Sequence, residues 1–226
     1  MKPTEAMVLT RDAGAIAPAL SQNRVLRNTY WLLSLTLLFS AGAAAVTTAL
    51  QLPHPGILTS LVGYFGLLFL TIRLRNSGWS LISVFALTGF MGYTLGPIVG
   101  HYLAMQNGHQ VVMMAMGGTA AVFLGLSAYA TASRRDFSFM GGFLMTGIIM
   151  AFLAGLAAIF FEVPALALTV SAAFVLLMAG LILYQTSQII HGGETNYVMA
   201  TVTLYVSIYN LFASLLHLLG FTNSSE

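Results

Sequence analysis

Few residues in this chain could do chemistry, and most of them sit on one segment. Between positions 198 and 220, Thr203, Ser207, Asn210, Ser214 and His217 recur at spacings of four, three, four and three. On a helix these side chains fall within an arc of roughly 80°. Hydrocarbon cannot satisfy hydroxyl, amide and imidazole groups, so a polar stripe on an apolar helix must face protein or trapped water. The last helix is therefore expected inside the bundle, its stripe serving either as interhelical glue or as the wall of a narrow hydrated path with Gln185 and Gln188.

The remaining candidates point away from catalysis. His54, His101, His109, His191 and His217 show no i, i+4 pair and no HExxH, so no metal site is expected. His101 and His217 share a depth near one face, where a meeting pair would titrate close to neutral pH. Outside the first twenty residues the acids are Asp136, Glu162, Glu194 and Glu226. Asp136 reads as a charge partner or helix cap, Glu162 as a rim carboxylate, and Glu194 as a charge at the start of the last helix. There is no GxSxG, no P-loop, no dinucleotide fingerprint and no cysteine, and the sole lysine is Lys2. Neither an enzyme nor a bound cofactor is expected.

The elements that must position these residues follow from composition. Of 226 residues, 58% are hydrophobic and 6% charged, against about 25% charged in soluble domains. Apolar runs of helical length occupy positions 29–50, 56–72, 79–103, 110–132, 139–161, 165–189 and 198–220, which describes an all-α membrane protein with seven spans. Lys2, Arg11, Arg24, Arg27, Arg73, Arg75, Arg134 and Arg135 all fall on one side of that arrangement. The amino terminus is thus expected in the cytoplasm and the carboxyl terminus outside. Residues 1–23 read as a flexible cytoplasmic tail and 24–226 as one membrane domain in the lipid bilayer. The basic residues mark membrane boundaries rather than a patch, so no nucleic-acid partner is expected. Gly92, Gly96 and Gly100 form an i, i+4, i+8 ridge for close helix packing or gating, with Pro97 inside it.

LYQTSQIIHGGETN followed by LYVSIYNLFASLLHLLG resembles the carboxyl-terminal signature of the Bax inhibitor family. FALTGFMGYTLGPIV at 85–99 and RRDFSFMGGFL at 134–144 are similar to two further family segments. VLRNTYWLLSLTLLFSA and HGGETNY look most like the proteobacterial branch that modulates the FtsH membrane protease. The resemblance implies six helices in two three-helix layers around a central seventh. It implies an inner-membrane protein with a periplasmic carboxyl terminus, bound to an FtsH-type protease complex and slowing degradation of membrane substrates. Other members are implicated in calcium or proton leak through an aspartate pair. Here the matching positions are Gln185 and Ser207, which cannot titrate, so the leak function stands as a weakened alternative. The family's latch arginine matches Arg73 approximately, and His191 and Glu194 occupy the polar hinge expected to work with it. A small-molecule transporter ranks below both readings, because no buried charge is available to couple transport.

Overall fold

The computed structural model describes residues 3–224, with side chains described for 23–222. The tail expected over 1–23 falls almost wholly outside the described side chains. Seven α-helices follow one another: α1 (Pro3–Ala49), α2 (Ile57–Leu74), α3 (Ser80–Leu103), α4 (Gly108–Ser133), α5 (Gly141–Phe160), α6 (Pro164–His191) and α7 (Tyr197–Ser224). A 3-10 turn, Ser138–Met140, leads into α5. All seven are long and apolar enough to cross a bilayer, and in α1 the crossing part is Asn23–Ala49. Observed edges lie close to the expected ones except at α1, which begins at Pro3, its crossing part starting at Asn23, six residues before position 29. Its polar residues there, Asn23, Arg24, Arg27 and Asn28, interrupt the apolar run without breaking helical hydrogen bonds.

The pairings group the outer helices into two sets of three. In one, α3 packs against both α1 and α2; in the other, α6 packs against both α4 and α5. The α1–α3 contact depends on the glycine ridge. A Cβ on Gly96 would lie 2.7 Å from the Ala44 carbonyl oxygen and run into Thr47, and one on Gly92 would strike the Ser40 backbone. At Gly100 the nearest atom, the Thr48 methyl, is 3.4 Å away, so the approach loosens toward that end. Thr48 Oγ1 donates to the Gly96 carbonyl (2.8 Å), a cross-helix bond that only this close approach permits.

From Asn196 to Gly220 no residue of α7 is exposed. The helix packs directly against α1, α3, α4 and α6, whereas α2 and α5 stand off from it across a cavity of about 450 Å³. The main core runs through this contact, with Leu204, Tyr205, Leu211, Leu87, Val84, Met178 and Ile182 all essentially inaccessible.

Candidate functional site

The densest polar structure lies where the arginines are, at the end of the bundle formed by the 191–196 hinge and the two neighbouring connections. Gly192, at φ +78°, ends α6 in the left-handed conformation that glycine adopts without a Cβ penalty. The chain then folds back, and the N–H groups of Gly193 and Glu194 donate to the Gln188 carbonyl at 2.8 and 3.1 Å. Asn196 starts α7: its Oδ1 accepts from the N–H groups of Val198 (3.0 Å) and Met199 (3.1 Å), satisfying two donors that the first helical turn leaves without partners. Glu194 Oε1 accepts from the Asn196 N–H (2.8 Å). Glu194, read from the sequence as a charge at the start of the last helix, thereby orients the residue that caps it.

From this hinge two arms reach across to the other connections. Asn196 Nδ2 donates to Asn76 Oδ1 (2.9 Å) and to the Arg75 carbonyl (3.2 Å), holding the α2–α3 connection. The other arm is the last turn of α6, which holds the α4–α5 connection. Ser187 Oγ accepts from the Phe137 N–H (3.0 Å) and lies 3.2 Å from the Arg135 carbonyl, and Gln188 Nε2 donates to Ser138 Oγ (2.7 Å). His191 places Nδ1 2.9 Å from the Ser187 carbonyl and Nε2 3.0 Å from the Arg134 carbonyl. Nδ1 also lies 3.3 Å from the Ser187 hydroxyl, so the ring is held from both its nitrogens. The Arg134 carbonyl needs a partner, because Arg134 ends α4 with φ +49°. Asp136 receives the hydroxyl and the N–H of Ser138, and these two bonds hold its carboxyl below the usual carboxylate range. Asp136 thus closes a turn onto Ser138, while the N-cap positions of the 3-10 turn and of α5 are Phe137 and Met140.

Arg73 and Arg75 are exposed, and Arg73 lies in the last turn of α2. Gln185 is buried, its amide nitrogen without a partner among the described residues, and so is the Thr186 hydroxyl. Ser207 is fully buried and donates to its own helix at the Thr203 carbonyl (2.7 Å).

The rest of the stripe is enclosed as well. Asn210 Nδ2 donates to the Val206 carbonyl (2.8 Å). His217 reaches another helix, with Nδ1 2.8 Å from Ser171 Oγ on α6. His101 is exposed and meets the edge of Tyr102, and no hydrogen bond or ring contact joins it to His217. The bonds that tie α7 to the first set of helices come from its opposite side, at Thr201, Tyr205 and Tyr209. Thr201 Oγ1 lies 3.2 Å from the Thr29 carbonyl; Tyr205 pairs with Ser40 Oγ and the Thr88 carbonyl (3.2 Å); Tyr209 meets Thr94 Oγ1 at 3.2 Å. Tyr205 and Tyr209 escaped the sequence reading because tyrosine counts as apolar there, and Thr201 was passed over with them. Their i, i+4, i+8 spacing of hydroxyls was the available signal. For Asn196 the signal was an asparagine immediately before an apolar run. Among the described residues no three His, Asp or Glu side chains gather as a metal site would require.

Comparison with known proteins gives this architecture its relatives. A family profile described as inhibitor of apoptosis-promoting Bax1 matches residues 22–224. The chain is 55% identical over 204 residues to the modulator of FtsH protease YccA of Escherichia coli K12, covering 90% of this chain and 93% of that one. It is 52% identical over 212 residues to an uncharacterized protein of Pseudomonas aeruginosa, covering 94% and 96% of the two chains. A more distant relative, the Golgi anti-apoptotic protein of vaccinia virus, is 34% identical over 207 residues, covering 88% and 85%.

Proposed function

We propose that this chain, which belongs to the Bax inhibitor family, is an inner-membrane modulator of FtsH-type proteolysis that acts by binding the protease complex. The observation that carries this reading is the 55% identity to the Escherichia coli modulator, sustained over 90% of the chain. The site supports it in a second way. With the arginines placed in the cytoplasm by the positive-inside rule, the hinge, the 134–138 connection and the 75–76 connection form one hydrogen-bonded surface on the side where a cytoplasmic protease would work. A bundle clasped there resists extraction from the membrane, and a slowly extracted protein occupies a processive protease. Residues 1–23 supply the segment such a machine would grip.

The leak reading has less support. Gln185 and Ser207 carry no charge, the hydroxyl and amide of Ser207 and Asn210 bond to their own helix, and His217 bonds to Ser171. These contacts favour a sealed bundle. Two measurements test the proposal. A tagged form pulled from native membranes should bring down FtsH, and its overproduction should lengthen the half-life of a membrane protein that FtsH degrades. Absence of FtsH from the pull-down with an unchanged half-life would retire the reading. Proton or calcium flux above that of empty vesicles would revive the leak alternative.

A further inference from the structure

In the half of the bundle away from the arginines, a cavity of about 760 Å³ opens sideways between α1 and α4, a pair that does not pack closely. Its lips are two helical stripes at i, i+4, i+8: Ala41, Ala45 and Ala49 on α1, and Met116, Ala120 and Leu124 on α4. All six are exposed, with Met116 at 59% and Leu124 at 63%, so the mouth is continuous with the surface that faces lipid. The floor is α7, through Ile208 and Phe212. Toward the basic end Tyr30 meets the edge of Phe123 at 6.1 Å and closes the seam.

Water is a poor occupant. Every polar side chain in the wall is already engaged: Ser40 with Tyr205, Tyr205 also with the Thr88 carbonyl, Thr48 with the Gly96 carbonyl, Thr119 with the Ala115 carbonyl, and Tyr209 with Thr94. Cavities without free polar groups stay dry and take apolar guests. A transmembrane helix is also a poor occupant. The mouth runs along nine residues, a rise of about 12 Å, and a helix of that length with its side chains fills on the order of 1,000 Å³. The same length matches the depth of one leaflet, about half of a hydrocarbon core of ~30 Å.

We propose that the α1–α4 seam is a binding site for one phospholipid acyl chain, which enters sideways from the leaflet farther from the arginines and lies along α7. The occupant replaces the packing that a neighbouring helix would otherwise supply, and its headgroup stays at the interface beside the 50–56 and 104–107 connections. The full chain in vesicles of phosphatidylethanolamine and phosphatidylglycerol, doped with a phospholipid carrying a diazirine on its acyl chain, tests this. After irradiation and peptide mapping, label is expected on Ile208 and Phe212 as well as on freely exposed residues such as Leu153. Label confined to the exposed residues would overturn the site. The variant Ala45→Phe with Ala120→Phe should lose the floor label while keeping label at Leu153; retained floor label would also overturn it. The labelling of the parent protein decides the matter alone should that variant fail to fold. A photoreactive side chain introduced at Ala45 should capture lipid in native membranes, and capture of a polypeptide instead would make the seam a protein interface and end the proposal.

Discussion

The two ends of this bundle solve opposite problems. At the arginine-bearing end three connections expose backbone groups near water, and Ser187, Gln188, His191 and Asn196 bind them into one network. In the other half α1 and α4 leave a wide apolar seam. The difference teaches that polar backbone is costly to leave unpaired, whereas an apolar gap open to lipid costs little because acyl chains fill it. One end is rigid through hydrogen bonds, and the other stays adaptable through its solvent.

Breaking the packing between the two ends should have the largest effect. Gly96→Leu pushes a side chain against the Ala44 carbonyl and Thr47, atoms that cannot yield cheaply. Destabilisation of about 3 kcal/mol or more is expected, read as a fall in the thermal midpoint of the protein in mild detergent. Asn196→Ala tests the clasp. It removes the α7 cap and the arm to Asn76 together, so a loss of about 1–2 kcal/mol is expected. Hydrogen exchange should then quicken at 73–77 and 197–200 while the outer half stays protected. Uniform loosening along the chain would show that the two ends are not separable.

Tyr205→Phe sharpens the contrast between the two sides of α7. It deletes bonds to Ser40 and Thr88 and should cost about 1 kcal/mol. Ser207→Ala, on the opposite side, removes a bond within one helix and should cost less than Tyr205→Phe in the same assay. The smallest effect concerns Asp136. Its carboxyl lies below the ordinary range because Ser138 bonds the charged form, so this contribution is full above the unfolded-state value and fades as pH falls below it. Ser138→Ala should move the carboxyl titration upward in NMR, toward about 3.9, with little change in the unfolding midpoint at neutral pH.

Much of this was legible in the residues. Span length and the sidedness of the arginines are local consequences of what hydrocarbon and charge tolerate, so seven helices and, apart from the start of α1, their edges followed closely. The enclosure of α7 followed as well, since hydroxyl, amide and imidazole groups on one apolar helix exclude a lipid-facing position. The ridge at Gly92 and Gly96 fits the same logic, because only a missing Cβ lets two backbones meet there. The site was less legible. His191, which reaches Arg134, was singled out and Gln188 was read only as a path-lining residue, while Asn196 and Ser187, whose partners lie 50 to 121 positions away, were missed.

Sequence alone therefore determined what each segment must avoid: lipid for polar groups, burial for arginines, bulk at the ridge glycines. Only the tertiary structure decided which groups meet. It turned Ser207 and Asn210 back on their own helix, handed the cross-helix bonds to Tyr205 and Tyr209, and kept His101 apart from His217. It also opened the α1–α4 seam, which no residue type announces, because a gap arises from how several helices lean together.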